Sequence, residues 1–395
     1  PPAPPDAHAT PADPGAFPEA EDDALTPPDR ALHLRARTAA REGRFAEAKQ
    51  ILGHLAFAYP RDELLVRQYN AVCARIDDLR AAAKASLEAK QLVRLDPPPA
   101  RYTLVRPAPT PDKVPKLVKT VERRNDVVDV DGWFKANGIH SRAFFVPPAL
   151  DMYFAPGTVS TTTVINLLSG FRYTEYQPQE RFDPRPLPLE IPLSYGTFPL
   201  TRAIGSDPHL LAIYGDRVVA VFDGREHVEA LLDLERFEHP PADRERRAVI
   251  GKATLTTPER TETADVTVQV HSITLALKFA LAADGVLYVE HASNGYAKDS
   301  QGQTAYISAI DLSSGALLWR SAPLVANAES FALVRGGVVC GYGFTAEPDF
   351  VYVLDRSTGA VRQKVPVRSG PEEIVWNERA VLVRTYDTDL VFDPR

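Results

Sequence analysis

The chain has 395 residues, 44% of them hydrophobic, and a formal net charge of −7. That length allows two or more domains with a sizeable core. The acidic balance argues against a nucleic-acid partner, because phosphate binding needs a concentrated basic surface. No apolar run approaches the ~18 residues of a membrane span, so no transmembrane segment is expected. The two cysteines, Cys73 and Cys340, are too few for a disulfide framework. They read as reduced, buried small hydrophobes in a helix and a strand of different domains.

Residues 1–28 are rich in Pro, Ala and Asp and offer little to bury. Such a stretch cannot offset its ordering entropy and reads as a disordered N-terminal tether. A proline-rich tether suits an exported or lipid-anchored protein after processing, and an arbitrary boundary is the plainer alternative.

Residues 29–96 read as a small helical module, with Ala, Leu, Arg and Glu dominant and Pro60 between two runs. Gly43 ends a first helix, Phe45 fills the elbow, Ala48 allows close helix contact and Pro60 stops the second helix. With Leu52, these spacings resemble the tetratricopeptide repeat. A 34-residue offset lands on Asp77, Leu79, Ala82, Ser86 and Arg94, of which only Leu79 and Ala82 fit. One good and one decayed repeat are expected, which is too short a stack to stand alone. A plain helical hairpin is the alternative.

Residues 97–131 read as a Pro-rich linker. Lys113, Lys116, Lys119, Arg123 and Arg124 recur at helical spacing and predict one short helix with a basic face. Such a face is solvated, or meets a membrane surface or an acidic partner.

From 132 to 395 the texture is all β. Val, Thr, Tyr, Phe and Ile form runs of four to eight residues broken by Gly, Asp, Asn and Pro. The run Ala309-Ile310-Asp311-Leu312-Ser313-Ser314-Gly315-Ala316-Leu317-Leu318-Trp319-Arg320 reads as strand, tight turn, strand. A weaker copy spans Val353 to Arg362 with Asp355 and Gly359, 44 residues later, and has Gln363 in place of Trp319. Asp closes an Asx-type turn, Gly supplies positive φ and Trp319 is expected to seal the space between neighbouring blades. Only Gly315, and not Gly302, is expected to need positive φ. Related turn entries occur at Asn166, Asp223 and Asp393, and the 88 residues from Asp223 to Asp311 imply an unmarked blade near Val266–Val270.

This grammar resembles the PQQ-like (quinoprotein-like) β-propeller repeat, clearly over Val286–Arg395 and faintly before. It also looks like the propeller lipoproteins of outer-membrane assembly machinery. The resemblance implies a multidomain chain, a PQQ-like all-β propeller of about six or seven blades behind a TPR-like helical module. A β-sandwich or two smaller β domains is the alternative.

A quinone-dependent dehydrogenase would, by the same resemblance, need eight blades, a calcium site, a catalytic Asp and an adjacent cysteine pair. Too few repeats are present, and no such cysteine pair. There is no Gly-x-Ser-x-Gly elbow and no Walker loop. Gly341-x-Gly343 lacks a third glycine, and His227-x-Glu229 lacks zinc partners. Asp129-x-Asp131-Gly132 has Val127 and Gly138 where a calcium loop needs ligands. His271 and His291 lie in β segments that a propeller could bring to its mouth. No catalytic, cofactor-binding or metal-ligating residue is therefore assigned, and no cofactor is expected.

The expected function is a non-catalytic protein-interaction scaffold, with other proteins meeting the helical groove and the propeller face. An exported, periplasmic subunit or adaptor of a bacterial envelope assembly fits the composition, with a lipid or peripheral tether at the N-terminus. The alternative is a ligand-sensing or enzymatic propeller binding a small molecule or metal at its central mouth.

Overall fold

The structure is a computed structural model. It describes residues 25–124 apart from 97, 100 and 111, and residues 191–395 apart from 225, 239–245, 257–260, 271–274, 294, 299 and 345. Between these blocks it describes positions 136 and 188 and the strand backbones 144–145, 160–165, 172–177 and 185–186. The described residues form two compact units, one built on helices up to Ala89 and one on strands from Lys90 onward.

The helical unit holds α1 (Pro27–Arg41), α2 (Phe45–Ala58) and α3 (Glu63–Ala89). Helix α1 starts inside the stretch read as tether. Thr26 caps it and prolines stand in its first turn, where no N–H donor is needed. The remaining tether residues lie outside the described ones. Gly43 carries φ of +73° in the α1–α2 turn, and Phe45, Ala48 and Leu52 are buried. These three pack with Ala36, Leu65, Val72 and Ile76 into one core. The decayed second repeat is not a helix pair. Asp77 stands where a glycine would have to break the chain, and α3 runs on through it for 27 residues.

The second unit opens with β1 (Val93–Arg94), β2 (Thr103–Leu104) and β3 (Leu117–Arg124). The short helix expected over Lys113–Arg124 is therefore corrected to a strand. β3 takes its hydrogen bonds from the C-terminal strand, and that pairing overrides a helical charge spacing. Two small pairs follow, β4 (Phe144–Phe145) with β7 (Arg185–Pro186) and β5 (Ser160–Ile165) with β6 (Arg172–Gln177). The turn anchored on Asn166 lies outside the described residues.

Four larger sheets carry the unit. Sheet I contains β8 (Ser194–Tyr195), β9 (Phe198–Ser206), β10 (His209–Tyr214), β11 (Val218–Asp223) and β12 (His227–Asp233). After α4 (Glu235–Glu238) comes the hairpin of β13 (Arg246–Thr256) and β14 (Thr261–Val270). Sheet II contains β15 (Ala276–Ala283), β16 (Val286–Ala292), β17 (Tyr306–Asp311) and β18 (Leu317–Arg320). Sheet III contains β19 (Ala332–Val334), β20 (Gly337–Tyr342), β21 (Phe350–Asp355) and β22 (Val361–Pro366). Sheet IV contains β23 (Pro371–Trp376), β24 (Val381–Thr385) and β25 (Thr388–Pro394), completed by β3. In sheets I to III four consecutive strands follow one another in antiparallel order, the order of a propeller blade.

Successive sheets touch through their first strands. The Ser206 hydroxyl donates to the Ala282 carbonyl (2.8 Å) and accepts from the Ala282 N–H (2.9 Å). Ser330 repeats this geometry on Ile374, and between them Phe279 meets Phe331 edge-on at 5.3 Å. Sheets I and II are therefore direct neighbours. The blade expected near Val266–Val270 is not inserted between them, and that segment is instead one strand of the β13–β14 hairpin. Asp393, read as a turn entry, lies within β25 opposite Val118.

Candidate functional site

Three places concentrate chemistry or exposed surface: the layer between sheets, the outer rim, and the helical unit.

Between sheets II and III the repeat residues do structural work. Asp311 accepts from the Ser314 N–H at 2.9 Å and Asp355 from the Ser357 N–H at 2.9 Å. Gly315 and Gly359 take φ of +67° and +72°, as the turn grammar requires. Trp319 is fully buried and its indole N–H donates to the Arg356 carbonyl of sheet III at 3.1 Å. It lies flat against Gly359, where a Cβ would fall 2.3 Å from the indole ring. The seal reading of Trp319 holds. Gly302 corrects its expectation, with φ of +74°, although a Cβ there would meet open space.

The same layer buries Glu290, whose two carboxylate oxygens have no hydrogen-bond partner among the described residues. Burial, then the charge of Glu329, pushes its carboxyl well above the usual range; Lys278 opposes this and Glu373 adds to it. Burial and then Glu290 itself push the neighbouring Cys340 thiol up. His291 points to the opposite side of β16, against Phe237 at 5.4 Å between ring centres. Burial and the Arg320 charge take it down to about 3, so it is neutral. Arg320 lies 3.8 Å over the Tyr306 ring. His271 lies outside the described residues, so its meeting with His291 does too. Among the described residues no group of three or more His, Cys, Asp and Glu is placed to hold a metal ion. Both cysteines are free thiols, Cys73 half-buried and Cys340 buried. Gly341 owes its size to close approach, since a Cβ there would fall 2.6 Å from Pro371.

The outer rim is laced by residues 93–124, which pass the four sheets in order. β1 pairs with β12 of sheet I, β2 with β18 of sheet II, and β3 with β25 of sheet IV. At sheet III contact is made differently. The Ala108 N–H donates to the Ser357 carbonyl, and the Gly336 N–H to the Lys113 carbonyl. Gln363 clasps Leu117, accepting from its N–H (2.8 Å) and donating to its carbonyl (2.9 Å). The residue that replaces the tryptophan thus holds the strap. Gly336 is forced by this crossing, as a Cβ would fall 2.2 Å from the Asp112 carbonyl oxygen. An open cleft of about 690 Å³ lies under the strap, bounded by Arg106, Pro107, Pro109, Asp311, Leu318 and Ser357. Arg106 and Asp311 are ion-paired there at 2.6 Å. Tyr102, Leu104 and Val105 of the strap are exposed. Nothing in the sequence marked this strap, whose prolines read as a linker.

In the helical unit, Phe57 is 87% exposed and Leu34 60% exposed. Among the described residues no helix is long and apolar enough to cross a membrane.

No protein-family model matches the chain, and no curated protein matches it. Among solved structures it is similar to the computationally designed Ika4 protein, at 14% identity and a TM-score of 0.28, covering 51% of this chain and 95% of that one. It is also similar to BamB from Moraxella catarrhalis, at 8% identity and a TM-score of 0.24, covering 70% and 100%. A third is the Dos1 propeller, at 11% identity and a TM-score of 0.25, covering 57% and 56%. Likeness of this degree decides nothing about function.

Proposed function

We propose that this chain is a non-catalytic protein-interaction scaffold, a subunit of or adaptor in a bacterial envelope assembly. Its sheets I to IV are taken as blades of a PQQ-like propeller and its helices as a TPR-like docking module. The observation that carries the reading is Phe57, a large apolar side chain left 87% exposed on α2. Leaving such a ring in water forgoes about 1.5–3 kcal/mol of burial, which a partner would recover. Meanwhile the repeat carboxylates Asp311 and Asp355 are taken up in turns and ion pairs. The Pro- and Ala-rich residues 1–24 have the composition of a spacer.

The test is affinity capture from an envelope fraction with the full chain, with Phe57→Ser, and with a chain lacking residues 1–89. A defined set of proteins held by the full chain and lost from both variants supports the reading. Nothing held by the full chain overturns it.

A second reading, a small ligand held in the layer between sheets II and III, is favoured by Glu290. A buried carboxyl without a partner is costly unless something bonds to it. Calorimetry of the full chain against amines and sugars tests it, and indifference of any binding to Glu290→Gln removes it.

A further inference from the structure

The strap treats sheet III unlike the others. In sheets I, II and IV a strap strand pairs with an outer strand through backbone hydrogen bonds. In sheet II this puts Leu104 directly opposite Trp319. In sheet III the corresponding position is Gln363, and it reaches Leu117 with its side chain alone. The backbone of β22 pairs with β21 on one side; among the described residues no strand pairs with its other side.

This edge has a definite chemistry. The strand reads Val361-Arg362-Gln363-Lys364-Val365-Pro366, with two cations and no carboxylate. Val361, Arg362 and Lys364 are exposed. Arg362 is pinned to Asp355 at 2.7 Å, and Lys364 sits over the Phe350 ring at 3.6 Å, so both cations are held along the strand. Lys113, whose carbonyl accepts from the Gly336 N–H, and Lys116, next to the Leu117 held by Gln363, are exposed and add to the positive field. Pro366 lacks an N–H and ends the pairing run. Cations on an open edge repel another basic edge and admit an acidic one.

We propose that the outer edge of β22 is a docking site for an extended acidic peptide segment of a partner protein, added to sheet III as a fifth strand. Backbone hydrogen bonds would supply affinity and alternate carboxylates would face Arg362 and Lys364. The proposal rests on the protein-interaction reading and deepens it by naming the partner's chemistry.

The probe is a fluorescein-labelled twelve-residue peptide alternating Glu with Val and Thr, titrated against the full chain by anisotropy, with amide hydrogen exchange read over residues 361–365. The comparison probe has the same charge with proline at every fourth position. The expected result is binding that weakens with added salt, slowed exchange at 361–365, and at least tenfold weaker binding of the proline peptide. Lys364→Glu, which leaves the Arg362–Asp355 pair intact, should also weaken binding at least tenfold. Equal binding of both peptides, absence of binding by the acidic peptide, or protection confined to residues outside 361–365 would each overturn the proposal. Partners captured by the full chain and retained by Lys364→Glu would sink it too, while leaving the scaffold reading standing.

Discussion

Trp319 shows what one residue does here. Its ring fills the gap between two sheets, its N–H is satisfied by the Arg356 carbonyl, and its flat approach needs Gly359. Trp319→Ala should cost about 3–5 kcal/mol in denaturant unfolding, the range for emptying a buried aromatic site. A loss under about 1 kcal/mol would mean the space refills and the seal is dispensable. Glu290 and His291 make opposite demands on pH. The Glu290 carboxyl is raised by burial above its ordinary 4.5, so the folded state holds that proton more tightly. The stability this contributes is full below pH 4.5 and lost as pH rises through the folded value. Glu290→Gln should therefore raise the melting temperature at pH 8 and flatten its decline between pH 5 and 8; an unchanged profile would show Glu290 is not the group responsible. His291 is lowered from 6.5 to about 3, first by burial and then by Arg320. Its contribution is present above pH 6.5 and is lost as pH falls toward 3, so His291→Phe should soften acid unfolding in that window. Circular dichroism melts between pH 3 and 7 read this directly. The two adjacent residues differ because alternate strand residues face opposite layers, one beside Cys340 and the other beside Phe237.

At the scale of elements, the Asp–x3–Gly turns were legible because they are local. Five residues contain the acceptor, the donors and the glycine, and both copies formed as expected. Gly315 and Gly302 mark where local reasoning stops. Both take positive φ, so strain alone does not separate them. A Cβ on Gly315 would fall 2.4 Å from Val93 of the strap, while one on Gly302 meets nothing. Gly315→Val should melt several degrees below Gly302→Val, and equal melting temperatures would show that β1 does not press on this turn. Helix α3 and strand β3 failed as expectations for related reasons. A repeat offset carries no information once its glycine is gone, and Lys119, Arg123 and Arg124 form as good a strand as a helix when β25 supplies the partner.

For the whole molecule, the strap gives residues 93–124 a role out of proportion to their composition. Their strands pair with the outer edges of sheets I, II and IV, blunting edges that would otherwise be open to aggregation. A chain beginning at Lys90 keeps this strap and should unfold cooperatively with the near-native melting temperature of the β unit. A chain beginning at residue 125 loses β1, β2 and β3 and should melt at least 10 °C lower or aggregate. Equal behaviour of the two in calorimetry would show the strap to be ornamental. The edge it leaves free, on β22, is the one to which the partner segment is assigned.

The residue order alone determined the turns, the mostly β character of the described C-terminal residues, the helical character after Asp29, and the inter-sheet place of Trp319. Each is a short-range pattern whose donors, acceptors and apolar period lie within a few residues of one another. Only the tertiary structure decided that sheets I and II are neighbours, that a Pro-rich stretch laces the rim, and that Glu290 is buried without a partner. Those depend on pairings across as many as 279 residues, such as Lys116 with Arg395, and no local window contains both halves of such a bond.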